Sequence, residues 1–164
     1  GANMAGAKRI IAVDRAASKK NLSINLGATH FVTADDRAID EVLNLTEGRG
    51  ADVVIEAIGN TALQESWLRA VRPGGTMVLV GVPSTSDSTS FISADLIRSE
   101  KTIKGSYYAA TDTGQAIDDL CAAYLQGRLP IDRLISKRVA IQDIQLAIDA
   151  MLTGAEGRTV IAFD

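Results

Sequence analysis

The chain has 164 residues, 46% hydrophobic and 23% charged, with a formal net charge of −3. This length suits one domain, or one domain with part of a second, and is enough to bury a sizeable core. The mild acidity argues against nucleic acid and anionic membranes as partners, no stretch approaches the roughly 18 consecutive apolar residues of a membrane span, and the opening GANMAGAKR lacks the apolar core of a signal peptide.

Residues 10–13 (IIAV), closed by Asp14, read as a short strand buried on both faces. Residues 18–26 have helical composition and stop at Gly27, suited to the left-handed position that ends a helix. A strand is expected at 30–33. A helix follows at 38–46, where Ile39, Val42, Leu43 and Leu45 form an apolar stripe and Gly48 ends it. ADVVIEAIG (51–59) is again a buried strand. The helix 61–71 starts at an Asn60 or Thr61 cap and carries Leu63, Trp67, Leu68 and Val71 at helical spacing.

Pro73-Gly74-Gly75 predicts a turn, and TMVLVGV (76–82) a further buried strand. Leu96 and Ile97 fall in a short helix, and TIKGSYY (102–108) is another strand. Strand and helix alternating through short loops imply crossover connections and a parallel sheet. The pattern changes after Tyr108. A helix at 113–126 ends at Gly127, and a strand occupies 135–140. A helix at 141–152 turns Ile144, Ala147, Ile148 and Met151 inward, and a last strand occupies 158–163. This tail does not read as a repeat of the earlier unit; it reads as a different layer or a second domain.

In a dinucleotide-binding sheet, an acid closing the second strand accepts hydrogen bonds from the adenine ribose, about 20 residues after a glycine-rich phosphate loop. Asp14 closes an apolar strand, and its residues alone leave open a ribose contact or a solvated turn. Counting back about 20 residues passes Gly1, so that loop is not expected in this chain. Gly1 and Gly6 follow no strand.

The runs GAKRIIAVDRAASKKNLSINLGATHFV, GRGADVVIEAIGN, VRPGGTMVLVGVP, LIRSEKTIKGSYY and GRTVIAF resemble, in order and spacing, the zinc-dependent medium-chain alcohol dehydrogenases over essentially the whole chain. The resemblance implies an α/β fold: a doubly wound, mostly parallel, Rossmann-like sheet lacking its first strand at 1–108, with 109–164 a remnant of the catalytic domain. It implies that Asp14 and Lys19 contact the adenine ribose, with NAD preferred because a 2′-phosphate would meet the carboxylate. Arg15 is the neighbour that would serve a 2′-phosphate instead.

Ala57, Ile58 and Gly59 stand at the carboxyl end of a strand, where ligands bind in open α/β sheets, and Gly59 permits close backbone approach. By the same resemblance Val80, Gly81 and Val82 offer backbone groups to the nicotinamide carboxamide, and Ser106, Tyr107 and Tyr108 lie beside its ring. Arg158 reaches back to the pyrophosphate. Without the resemblance these are a strand-to-helix turn, ordinary strand ends and a surface arginine.

The family holds its catalytic zinc with Cys, His and a further Cys or acid, mostly from a segment with no counterpart here. This chain has one cysteine, Cys121, and one histidine, His30, read respectively as a core residue and as a structural or solvated one. No catalytic or metal-ligating residue is assigned, and zinc is expected only in the parent enzyme. GANMAGA resembles the last turns of the helix that follows the phosphate loop, so NAD binding by this chain is expected to be weak or absent. Strand 10–13 then either pairs directly with 53–57 or has its slot filled otherwise.

The expected function is the cofactor-binding portion of an NAD-linked alcohol dehydrogenase, inactive alone, cytoplasmic, with NAD(H) as its partner. A homodimer or higher oligomer is expected around a strand at 88–92 and the sheet edge at 102–108, with Leu120, Tyr124, Leu125, Ile144 and Ile148 incompletely covered. The alternatives are a stand-alone, non-catalytic nucleotide-binding or oligomerisation module, and the quinone-reductase or sorbitol-dehydrogenase branch of the same superfamily.

Overall fold

Apolar runs broken by glycine-closed helices give the computed structural model its element order, described over residues 1–109, 112–154 and 157–163. In chain order these are β1 (Ile11–Asp14), α1 (Lys20–Asn25), β2 (His30–Thr33), α2 (Ala38–Leu45), β3 (Ala51–Glu56), α3 (Thr61–Trp67), β4 (Val71–Leu79), α4 (Ser93–Arg98), β5 (Thr102–Gly105), α5 (Thr113–Leu125), β6 (Ile135–Ala140), α6 (Ile144–Thr153) and β7 (Arg158–Ala162). All ladders among the described residues are parallel, in separate sheets β1-β2, β3-β4-β5 and β6-β7. Among the described residues β1 is paired with β2. The chain divides into two units, Gly1–Asp35 with Ile117–Asp164, and Asp36–Ala116.

In the first unit, β1 and β2 pair from Ile11↔His30 to Asp14↔Thr33. The crossover is a 3-10 turn, Ala17–Lys19, leading into α1. Gly27 closes α1 at φ 104°, letting its N–H reach the Ile24 carbonyl at 3.0 Å and the Ala28 N–H reach that of Ser23 at 3.0 Å. These two bonds satisfy carbonyls that a helix end otherwise strands. The opening residues close in the same way: Gly6 N–H donates to Asn3 O (3.0 Å) and Ala7 N–H to Ala2 O (3.1 Å). Residues 2–6 form a hydrogen-bonded turn.

The tail departs from its reading in two respects. β6, α6 and β7 repeat the strand–helix–parallel strand order, so this segment is another crossover unit. Ile144, Ile148 and Met151, assigned inward positions, are exposed, as are Leu120, Leu125 and Leu146.

The second unit is built on β3-β4-β5, in register from Val53↔Thr76 to Glu56↔Leu79 and from Thr76↔Thr102 to Leu79↔Gly105. Leu68, Val71 and Met77 form its core, with Val54, Trp67, Leu79, Phe91, Leu96 and Ile103 packed around them. Met77 is fully buried, contributing about 1.5–3 kcal/mol of transfer free energy. Helix α3 is capped by Asn60, whose Oδ1 accepts the Leu63 N–H at 3.0 Å.

Two strand boundaries differ from expectation. Pro73-Gly74-Gly75 lies inside β4 as a bulge, between the pairs Ala51↔Val71 and Val53↔Thr76, where an unpaired stretch tolerates the missing proline donor. At the other end β4 stops at Leu79 because the Val80 and Gly81 N–H groups both turn onto the Glu56 carbonyl, at 2.8 and 3.1 Å. β5 likewise stops at Gly105. Strand β3 is not buried on both faces: Val54 points into the core, while Val53 and Ile55 are exposed. Residues 88–92 form no strand among the described residues.

Candidate functional site

The carboxyl end of β1 presents Asp14. The Ala17–Lys19 turn folds Lys19 back so that its Nζ donates to Asp14 Oδ2 at 3.0 Å, while the Ala16 N–H donates to Oδ1 at 2.9 Å. Both side chains remain partly exposed. Partial burial pushes the Asp14 carboxyl up, but the Ala16 N–H and the Lys19 ammonium outweigh it, and the net shift is downward. The group is therefore an ionised acceptor with lone pairs left over. Arg158, at the start of β7, is exposed, and among the described residues its guanidinium makes no hydrogen bond or ion pair. Asp14 and Lys19 are brought together; Arg158 is not joined to them.

In the other unit the carboxyl ends of β3, β4 and β5 gather the remaining candidates. The turn Ala57, Ile58, Gly59 follows β3, and Val80, Gly81, Val82 follow β4. These two turns approach one another backbone to backbone at Gly59 and Gly81. A Cβ on Gly59 would stand 2.7 Å from the Val82 carbonyl oxygen, and one on Gly81 would stand 2.0 Å from Gly59 N. Gly59 also takes φ 82°, so glycine is required there twice over. Ser106 joins the group through its N–H, which donates to Leu79 O at 2.9 Å. Beyond it the Tyr107 and Tyr108 rings meet edge to face, 4.5 Å between centroids, both largely exposed.

The residue that organises these turns is one that sequence reasoning missed. Glu56, the last residue of β3, is 6% exposed. Its Oε1 accepts the Ile58 and Gly59 N–H groups at 2.7 and 2.8 Å, and its Oε2 accepts Gln64 Nε2 at 3.1 Å. Gln64, also buried, accepts the Thr89 hydroxyl at 2.7 Å through its own Oε1. Burial pushes the Glu56 carboxyl up, yet the Gln64 amide and the N–H groups of Ile58, Gly59 and Asn60 together hold it below the usual glutamate value. The available signal was a charged residue at the end of an apolar strand, which needs partners if buried. Thr89, together with the Ser90 N–H that donates to Glu65 at 2.7 Å, ties the loop around 88–92 to α3 in place of the expected strand.

A metal does not fit these residues. Among the described residues no group of three or more His, Cys, Asp or Glu side chains comes together. Cys121 is exposed on α5 rather than in the core, because the buried position of that helix is Ala123. His30 sits half-buried in β2 with Nδ1 2.9 Å from the Thr29 hydroxyl oxygen. No helix among the described residues is long and apolar enough to cross a membrane.

Parallel strands joined by crossover helices define an α/β class of protein in which ligands bind at the carboxyl ends of the strands. The sequence matches the zinc-binding dehydrogenase family over residues 1–123, and the chain belongs to that family. It is 30% identical over 164 residues to the NDMA-dependent alcohol dehydrogenase of Amycolatopsis methanolica, covering 98% of this chain and 44% of that relative. The chain thus spans less than half the length of the curated relatives it matches.

Benzyl alcohol dehydrogenase from Acinetobacter calcoaceticus superposes with a TM-score of 0.89 at 27% identity, covering 99% of this chain and 45% of that one. A putative zinc-binding dehydrogenase from Sinorhizobium meliloti, bound to NADP, superposes with a TM-score of 0.81 at 28% identity, covering 99% of this chain and 47% of that one. The fold is the Rossmann-like α/β arrangement of these dehydrogenases.

Proposed function

We propose that this chain is the cofactor-binding portion of an NAD-linked alcohol dehydrogenase, with Asp14 and Lys19 holding the adenine ribose and the turns at 57–59 and 80–82, with Ser106, Tyr107 and Tyr108, holding the nicotinamide half. The observation that carries the reading is Asp14: an ionised, partly exposed carboxylate at a strand's carboxyl end, held in place by Lys19 and the Ala16 N–H. A vicinal diol donates two hydrogen bonds, and this carboxylate has acceptor capacity to take them. A 2′-phosphate would face the same negative charge, which favours NAD over NADP. The exposed residues Ala57, Ile58, Val80 and Val82 at the two strand ends would lie against the flat carboxamide of nicotinamide.

When bound, the dinucleotide supplies the hydride acceptor. Asp14 and Lys19 orient the adenosine end, and the strand-end backbone orients the ring end. Arg158 serves the pyrophosphate as a bidentate cation. We read residues 1–108 as the nucleotide domain and 109–164 as part of a catalytic domain, in a cytoplasmic enzyme that dimerises or assembles further. By itself the chain binds NAD weakly and does not turn over an alcohol.

Titrating NADH by its fluorescence, and comparing NAD with NADP for the wild type and Asp14→Ala, tests this. A relaxed preference for NAD in the variant is expected. An unchanged preference would count against the ribose role, and sub-micromolar NADH affinity would contradict the weak binding. The alternative, a self-associating module without catalysis, is favoured by the exposed apolar side chains of α5 and α6 (Leu120, Leu125, Leu146, Leu152).

A further inference from the structure

We propose that Glu56 is a positioning and specificity-determining residue of the site: it ties the two strand-end turns together and sets beneath them a buried negative charge that favours the oxidised, cationic nicotinamide ring over the reduced, neutral one. This rests on the reading above that those turns hold the nicotinamide half.

One residue reaches both turns. The Glu56 carbonyl accepts the Val80 and Gly81 N–H groups, at 2.8 and 3.1 Å. Its carboxylate accepts the Ile58 and Gly59 N–H groups, at 2.7 and 2.8 Å. Main chain and side chain of the same glutamate therefore set the spacing between the two turns.

The hydrogen bonds to the carboxylate come from neutral donors, the amides of Ile58 and Gly59 and the Gln64 side chain. Dipoles of this kind stabilise an ion without cancelling its charge. Among the described residues no ammonium or guanidinium pairs with it. With Glu56 buried, solvent screens that charge less than it would a surface carboxylate.

The two redox forms of the ring differ by one positive charge, so a fixed anion beneath the site acts on their difference. A merely structural role would shift both affinities together. Ligand preference moves only through differential interaction. A single charge acting through a partly polar medium is worth a ratio on the order of three- to tenfold.

The test is titration of the 164-residue chain, its Glu56→Gln and its Glu56→Asp variants with NAD+ and with NADH, followed by ligand and amide NMR so that millimolar affinities remain measurable. Glu56→Gln can keep the hydrogen bonds, since Gln64 can flip its amide and donate to Thr89. Its preference for NAD+ over NADH, relative to wild type, is expected to fall by about three- to tenfold. Glu56→Asp keeps the charge and is expected to keep the ratio while both affinities drop.

An unchanged ratio in Glu56→Gln overturns the charge effect and leaves the cofactor reading standing. Binding of neither form by the wild type overturns both. A second measurement needs no variant. The wild type is titrated with a dinucleotide carrying benzamide in place of nicotinamide, which matches the oxidised ring in shape but is neutral. Weaker binding of that analogue than of NAD+ is expected, and equal binding overturns the proposal.

Discussion

Gly81 and Gly59 touch backbone to backbone: a methyl group on Gly81 would lie 2.0 Å from the Gly59 nitrogen. The contact joins the turns that follow β3 and β4 and leaves no room for a Cβ at either glycine. The spacing of these turns is therefore set by main chain rather than by rotamers.

Gly81→Ala is expected to force the two turns apart and to destabilise the 36–116 unit by about 1–3 kcal/mol or more, the range for overpacking a closed contact. A urea midpoint falling well below wild type would agree. A midpoint unchanged within error would show that the turns separate freely.

Gln64→Leu leaves Glu56 Oε2 and the Thr89 hydroxyl without their present partner, in a position where Gln64 is 3% exposed. The expected cost is about 1–3 kcal/mol for the buried carboxylate alone. Thr89→Val in the same background should add little, because the bond it would remove is already gone, and a double-mutant cycle measures this.

Acid should weaken the fold through the same carboxylates. Asp14 and Glu56 both lie below their ordinary values of 3.8 and 4.5. A carboxylate depressed on folding contributes its stability in full above its unfolded value and loses it as pH falls through the lower folded value. The stability gap between wild type and Glu56→Gln, read from urea midpoints, is therefore expected to narrow as pH drops below about 4.5. A gap that stays constant down to pH ~3 would mean the Glu56 carboxyl is not stabilised as an anion in the folded state.

Much of this architecture was legible in advance because its signals are local. IIAV before Asp14 gave β1, and Gly27 and Gly127 marked helix ends because few other residues take their φ of 104° and 70°. The family likeness singled out Asp14 and Lys19, each as a ribose contact, but not the ion pair they make with one another. What escaped depends on partners distant in sequence. Nothing near Val53 or Ile55 says which face of β3 lacks cover, and nothing near Met151 or Cys121 says which side of a helix is left open. Pro73-Gly74-Gly75 looks like a turn wherever it stands; only pairing with β3 reveals a bulge. Glu56 reads as a routine acid until Gln64 and Thr89 are brought to it from positions 8 and 33 residues onward.

Trp67 is the chain's one tryptophan and packs against the Leu68, Val71 and Met77 cluster of the 36–116 unit. Its emission is thus a built-in optical probe of that half alone, while circular dichroism averages over every helix in the chain. If the two halves melt independently, the two signals will give different transition curves. Coincident curves would show a single cooperative event.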